Sequence, residues 1–228
     1  MIQLPAPIPL QILDLPRDDR GYPVPAENEW LDSGPLLANQ DWRRFATLLA
    51  FERCAICGCK FAETEPLYRL FAQEDGEATE AAGRCVRSDG PAHYACTVFS
   101  AMICPFFASP GARRKSGHAA RGRRAAIMGF RKVLVQAEFN SVGGINTVDF
   151  HYQGLLHTDW FDTSSRLADQ LVDAVACQQP IAVADRMYWR SQKDLLPDFK
   201  EARKVLRRAW MAQHGHSNSS QGGLATER

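Results

Sequence analysis

Two short motifs constrain this chain more than any other feature: Cys54-Ala55-Ile56-Cys57-Gly58 and His93-Tyr94-Ala95-Cys96, with 35 residues between Cys57 and His93. Three cysteines and a histidine in two close pairs are the donor types that suit a tetrahedral zinc ion. A C-x2-C pair sits on a tight turn, and a glycine after the second cysteine frees the backbone to aim both thiolates at one centre. The second pair fits the opening turn of a helix, with Pro91 just ahead of it where a proline disturbs least. His93 and Cys96 are three apart, so one helical face presents both. Between the pairs, 66–71 and 83–87 read as two short strands around an acidic turn near Asp75-Gly76. Turn, hairpin, then a ligand-bearing helix is the order of a treble-clef zinc module. Cys54, Cys57, His93 and Cys96 are therefore the candidate ligands of one Zn2+. The bland alternative, three buried thiols and a satisfied core histidine, leaves the ordered pairing unexplained.

A chain of 228 residues has room for one or two domains and a full hydrophobic core. Its seven cysteines form no paired framework, and the opening Met-Ile-Gln-Leu-Pro lacks the basic and apolar regions of a secretory signal. The expectation is a reducing, cytoplasmic home. The most apolar stretch, 97–108, has 12 residues and is broken by Pro105, too short to span a bilayer. Net charge is +1 but unevenly spread. Residues 1–89 carry 9 basic and 15 acidic side chains, whereas residues 90–137 carry 8 basic and no acidic ones. Those eight are Arg113, Arg114, Lys115, Arg121, Arg123, Arg124, Arg131 and Lys132, a cluster of the kind that binds phosphates by releasing counterions.

In chain order the reading is α+β: a treble-clef-like zinc module followed by a β-hairpin and a small C-terminal helical region. Residues 1–40, with seven prolines, read as an arm laid over the surface, in which Arg20-Gly21-Tyr22-Pro23-Val24-Pro25 is extended and docks its Tyr and Val. The zinc module covers 41–108. Asp41 caps a helix that sets Trp42, Phe45, Leu48 and Leu49 on one face, and Pro105 ends the ligand-bearing helix near Cys104, itself a core residue. Residues 109–132 read as a basic, mobile linker. In 133–213, strands 133–139 and 147–152 flank a glycine-containing loop, and a helix from Thr163 or Ser164 to about Cys177 is followed by two more, from about Ile181 and about Pro197. Residues 214–228, with His214 and His216, read as disordered. Cys59, Cys85 and Cys177 read as small buried side chains.

Taken together, Arg20-Gly21-Tyr22-Pro23-Val24-Pro25, Cys54-Ala55-Ile56-Cys57-Gly58, Pro91-Ala92-His93-Tyr94-Ala95-Cys96 and Cys104-Pro105-Phe106 resemble the uncharacterised zinc-binding proteins of bacteriophages and bacteria that carry R-G-Y-P-V-P, C-x-x-C-G, P-x-H-x-x-C and C-P-F in that order. The resemblance implies a phage or prophage accessory protein and implies no activity. This chain departs from that family in its longer acidic insert between the ligand pairs and its extended basic segment after Pro110.

Two function classes compete. An HNH-type nuclease needs a general-base histidine in the hairpin and a second metal-binding side chain in the helix, yet no histidine lies between Gly58 and Ala92, and three cysteines with one histidine close the zinc shell to water. The other class is a non-enzymatic module in which zinc supplies folding energy. Its partner is then nucleic acid or a nucleoprotein met by the basic segment, or a host protein that the chain inhibits or adapts. No aromatic residues interleave the arginines there, so any such binding would be sequence-independent.

Overall fold

The computed structural model describes residues 3–113, 119–139 and 145–214. The elements run α1 (Leu10–Leu13), β1 (Asn28–Leu31), β2 (Gly34–Gln40), α2 (Trp42–Ala50), β3 (Leu67–Ala72), α3 (Gln73–Ala82), β4 (Arg84–Arg87), α4 (Tyr94–Ile103), α5 (Pro105–Ala108), β5 (Ala125–Phe139), β6 (Ile145–Phe161), α6 (Ala168–Ala176) and α7 (Gln192–His214), with 3-10 turns at Ser164–Leu167 and Val183–Asp185. Helices and two antiparallel sheets make it an α+β fold. The smaller sheet pairs β1 with β2, and the larger has the order β3-β5-β6-β4. Among the described residues no helix is long and apolar enough to cross a membrane.

The larger sheet is covered on both faces along the first part of β5, residues 125–130. Along β5, Ala125 and Ile127 join a core that also holds Val98 and Phe99 of α4 and Leu171 of α6. Their neighbours Ala126, Met128 and Phe130 point the other way, into a second core with Phe45 and Leu48 of α2 and Leu195, Phe199 and Leu206 of α7. Each large side chain so buried stabilises the fold by about 1.5–3 kcal/mol. A strand covered on both faces reads as an unbroken apolar run rather than an alternation. That is why residues 125–132 look like the end of a linker in the sequence and are instead the middle of the sheet.

The acidic stretch before Gly83 corrects a second expectation. The strands at β3 and β4 fall within a residue of their expected limits, but they do not pair with each other: β3 pairs with β5 and β4 with β6. The supposed turn between them is α3, with Glu74 and Asp75 in its first turn, where carboxylates favour a helix, and Gly83 closing it at φ 65°. Gly76, read as a turn glycine, lies inside this helix because the Trp160 ring passes 2.8 Å from where a Cβ would stand.

Elsewhere Asp41 caps α2 by accepting from the Arg43 N–H, as expected. The β5–β6 hairpin extends beyond both expected strands. Its loop, 140–144, lies outside the described residues, as do Arg114, Lys115 and the tail from 215. The helix expected near Ile181 is one 3-10 turn. The last helix begins at Gln192 rather than Pro197, which lies within it and removes one helix hydrogen bond. The N-terminal arm is more than a surface strap: Ile12, Leu15, Val24 and Ala26 are buried, and Ala26 N–H donates to the Ile56 carbonyl at 2.8 Å.

A buried ionic network fixes the arm. Arg69 of β3 reaches Asp89 at 2.7 Å and Glu27 at 3.2 Å, and donates to the Gly90 carbonyl at 2.7 Å. Burial alone would depress the Arg69 guanidinium, but Asp89 and Glu27 hold it above its ordinary value. Burial raises the Glu27 carboxyl against the pull of Arg69. Replacing Arg69 by Met strands two buried carboxylates, and urea titration at pH 7 should show a loss of about 3–5 kcal/mol. A carboxyl with a raised folded pKa binds more protons folded than unfolded, so stability rises as pH falls through that pKa. The deficit of the Arg69→Met variant should accordingly shrink toward pH 5, and a deficit under about 1 kcal/mol at pH 7 would contradict this account.

Candidate metal centre

The four residues expected as ligands meet. Cys54, Cys57, His93 and Cys96 are buried, and their ligand atoms all lie within 4.8 Å of one another, close enough to hold a metal ion. Local rules place each one. The chain enters and leaves the first pair through an antiparallel bridge between Arg53 and Lys60, and the turn closes with Gly58 N–H on the Cys54 carbonyl at 2.9 Å. Gly58 adopts φ 73°, and a Cβ there would stand 2.0 Å from the Met187 carbonyl oxygen. His93 is the N-cap of α4 and Cys96 lies in its first turn. The approach to His93 is fixed by Ala92, whose N–H and C=O both bond Tyr68 of β3 at 2.9 Å.

Two of the separations are those of neighbouring ligands on one tetrahedral ion. His93 Nδ1 is 3.4 Å from Cys57 Sγ and 3.9 Å from Cys96 Sγ. Those spacings bracket the edge of about 3.6 Å that bonds of about 2.3 Å to sulfur and 2.0 Å to nitrogen imply. The other ring nitrogen, Nε2, faces the Lys60 carbonyl at 3.2 Å, the outer hydrogen bond that fixes a ligating imidazole. Thiolates are also provided with donors. Cys57 N–H points to Cys54 Sγ and Cys59 N–H to Cys57 Sγ, both at 3.5 Å, and Gln11 Nε2 points to Cys96 Sγ at 3.4 Å.

Electrostatics in the metal-free cluster separate the four groups. Burial would raise Cys54, but hydrogen bonds from Cys57 and Cys96 and the His93 charge bring its thiol well below the ordinary value. Burial pushes Cys57 well up and Cys96 up to about 12. Although burial opposes it, the Cys54 thiolate raises His93 to about 12.

Gln11 was not legible as part of this site. It lies 85 residues from Cys96, and its side chain also exchanges hydrogen bonds with Gln178 at 2.7 and 3.0 Å. The remaining cysteines are free thiols. Cys59 is buried, Cys85 and Cys104 are half-buried, and Cys177 is exposed, contrary to its expected burial.

The basic segment is not the single positive surface that its sequence suggests. Arg121 is fully buried and donates to the Asp162 carbonyl at 3.0 Å, so it presents no charge to a partner. Arg124 is exposed but pairs with Glu77 at 2.9 Å and lies 4.0 Å over the Trp160 ring. Arg113, Arg123, Arg131 and Lys132 are exposed.

A second polar cluster, absent from the sequence reading, starts at Tyr94. Its hydroxyl donates to Asp159 at 2.7 Å, and the other Asp159 oxygen is 3.0 Å from His157 Nε2. The Tyr68 and Tyr94 rings stack at 4.8 Å, with His157 against both. A β-bulge at Gly129/Phe130, opposite His157, sets this ring's direction, and Gly129 leaves space for Tyr68, whose ring would stand 2.6 Å from a Cβ there.

No family model, no curated protein and no solved structure matches the chain. Site assignments therefore stand on this geometry.

The Gly58–Met187 approach gives a sharp test. Gly58→Ala requires a left-handed alanine and a shift of the Met187 backbone, together about 3 kcal/mol or more. Thermal unfolding of the variant should show the loss, whereas Gly111→Ala, which meets nothing within 4 Å, should melt like the parent.

Proposed function

We propose that this chain is a non-enzymatic binding protein clasped by one structural zinc ion, acting as a phage or prophage accessory factor whose partner is nucleic acid or a nucleoprotein. One observation carries the zinc reading: three cysteines and a histidine, all buried, supply four protein ligands and keep no position for water. Soft thiolates with one imidazole select zinc over the oxygen-seeking cations, and a closed shell is the mark of a structural site. Zinc joined here would tie the turn at 54–57 to the first turn of α4 as a zinc knuckle and helix do in a treble clef, although β3 and β4 are not the hairpin between them. The accessory role rests on the resemblance in sequence signatures, and the choice of nucleic acid on the basic side chains of residues 90–137 that stay exposed, among them Arg113, Arg123, Arg131 and Lys132.

A second, hydrolytic reading is favoured by His157 alone. Asp159 fixes the ring through Nε2, the arrangement that readies the other nitrogen as a base, and Nδ1 has no partner among the described residues. Plasmid cleavage with added magnesium or manganese, lost in His157→Ala, would favour it; an intact plasmid would leave the binding reading.

The zinc reading makes two expected outcomes. Protein purified without added metal should carry about one zinc per chain, and Cys57→Ser with Cys96→Ser should carry none. Chelation should remove about 4 kcal/mol or more of stability, as expected for a ligand present far above its dissociation constant. Unchanged melting after chelation would defeat the clasp. Thiols and imidazole must lose their protons to bind zinc, so calorimetry at pH 7 in buffers of different ionisation enthalpy should register protons released on zinc binding. Zinc affinity should fall as pH drops from 7 to 5, because protons compete for the same four atoms.

A further inference from the structure

Helix α7 divides into two faces. Leu195, Phe199, Ala202 and Leu206 are buried against α2 and the sheet. Flanking that buried face, Lys200, Arg203, Lys204 and Arg207, spaced three or four apart, form one exposed stripe. From Phe199 to His214 the sequence carries five basic residues and one acid, Glu201, which pairs with Lys204 at 2.7 Å. Favourable placement of cations at a helix C-terminus does not explain this stripe. That effect falls off within the last turn, whereas Lys200 and Arg203 lie more than ten residues before His214.

An aromatic side chain stands at the edge of the stripe. Trp42, at the start of α2, is 39% exposed and packs edge-on against Phe199 at 5.3 Å. Phe199, which the indole touches, is followed by Lys200 and, one turn on, by Arg203, the first two members of the basic row. Cations that follow a phosphate backbone beside an accessible ring are the two parts of a single-strand binding track, because only unpaired bases offer their faces for stacking. We propose that the outer face of α7, with Lys200, Arg203, Lys204, Arg207 and Trp42, binds single-stranded nucleic acid without sequence preference. This rests on the reading that the partner is nucleic acid, and it moves the contact from the segment at 113–132 to α7.

The test uses the full zinc-loaded chain and fluorescence anisotropy with a labelled 20-mer of thymidine and a duplex of equal length. Four neutralised phosphates predict that log affinity falls with log salt at a slope of about 3 for the single strand. Changing Lys200, Arg203, Lys204 and Arg207 together to Gln should weaken binding by roughly 100-fold in low salt and flatten that slope. Trp42→Ala should weaken it by roughly tenfold or more. Because the four basic side chains are exposed, the Gln variant should keep its zinc and its melting temperature. An Arg123, Arg131, Lys132→Gln variant should weaken binding less than the α7 variant does, and a larger loss than that of the α7 variant overturns the α7 track. If the parent binds but the α7 variant binds equally well, the α7 track is overturned while the nucleic-acid reading survives. A preference for duplex with no effect of Trp42→Ala overturns the single-strand assignment. Binding of neither nucleic acid, or capture only by anionic vesicles or an acidic protein, overturns both.

Discussion

The close approach of the Cys54–Cys57 turn to the first turn of α4 is the contact on which the surrounding structure depends. Three separate stretches are held against that turn by backbone bonds. Ala26 and Glu27 of the arm donate to the Ile56 and Ala55 carbonyls, Ala55 donates to the Pro91 carbonyl, and Met187 N–H donates to the Gly58 carbonyl. None of these stretches is near the turn in sequence, and none buries enough on its own to order itself. The cysteines give the turn its shape, since their sulfurs accept from the N–H groups of Cys57 and Cys59. A cluster of buried sulfurs and an imidazole is thus the hub of a network of main-chain contacts. Loosening the hub loosens every stretch tied to it.

What the sequence discloses and what it hides follow from the range of the interactions involved. The ligands were legible because metal chemistry demands particular residue types at short spacings, as in Cys54-x-x-Cys57 and His93-x-x-Cys96. Asp41 was legible as a cap for the same reason: its partner, Arg43 N–H, is two residues away. Gln11, Glu27 and Arg69 were not, because the partners that bury them, Cys96, Gln178, Asp89 and one another, lie 20 to 167 residues off and any polar residue at those positions would look like a surface residue. The acidic helix α3 was misread because Asp75-Gly76 has the composition of a turn. The glycine there answers a tertiary demand, the passage of Trp160, that no local pattern records. Likewise the apolar run at 125–130 showed no period of two, since both of its faces are covered.

The two cores differ in how they are secured. On the α4 side the ligand cluster lies beside Val98, Phe99, Ile127 and Phe161, so apolar burial and the sulfur-lined centre act on the same elements. On the α2–α7 side the polar ties are Gln192, whose amide donates to Asp41 at 2.8 Å, and Arg44. Arg44 is fully buried and donates to the Trp189 carbonyl at 2.7 Å, with Asp41 3.8 Å from its Nε. Such a charge is costly to bury alone, and its position between α2 and the start of α7 sets the register of those helices in a way that apolar packing alone does not. Sheet residues serve both sides at once, so a change in β5 is felt in both cores.

Charge counted along a chain and charge placed in space are different quantities, and here they point to different surfaces. Folding divides the run of eight basic residues in 90–137: Arg121 goes inside, Arg124 is taken by Glu77 and Trp160, and the backbone N–H groups of Arg123 and Arg124 are drawn to the Gln73 side chain on α3. The region from 138 onward, nearly neutral by count with 10 basic and 11 acidic residues, contains α7, where a helical period gathers Lys200, Arg203, Lys204 and Arg207 on one side. Asp194 and Asp198 lie earlier on the same helix, and Asp198 accepts from the Trp189 indole at 2.8 Å rather than facing the cations. A balanced segment thereby acquires a positive face, while an unbalanced one is partly consumed by the interior. The electrostatic field that a polyanion meets is set by the helix period and the burial pattern, and the linear charge count is a poor guide to it.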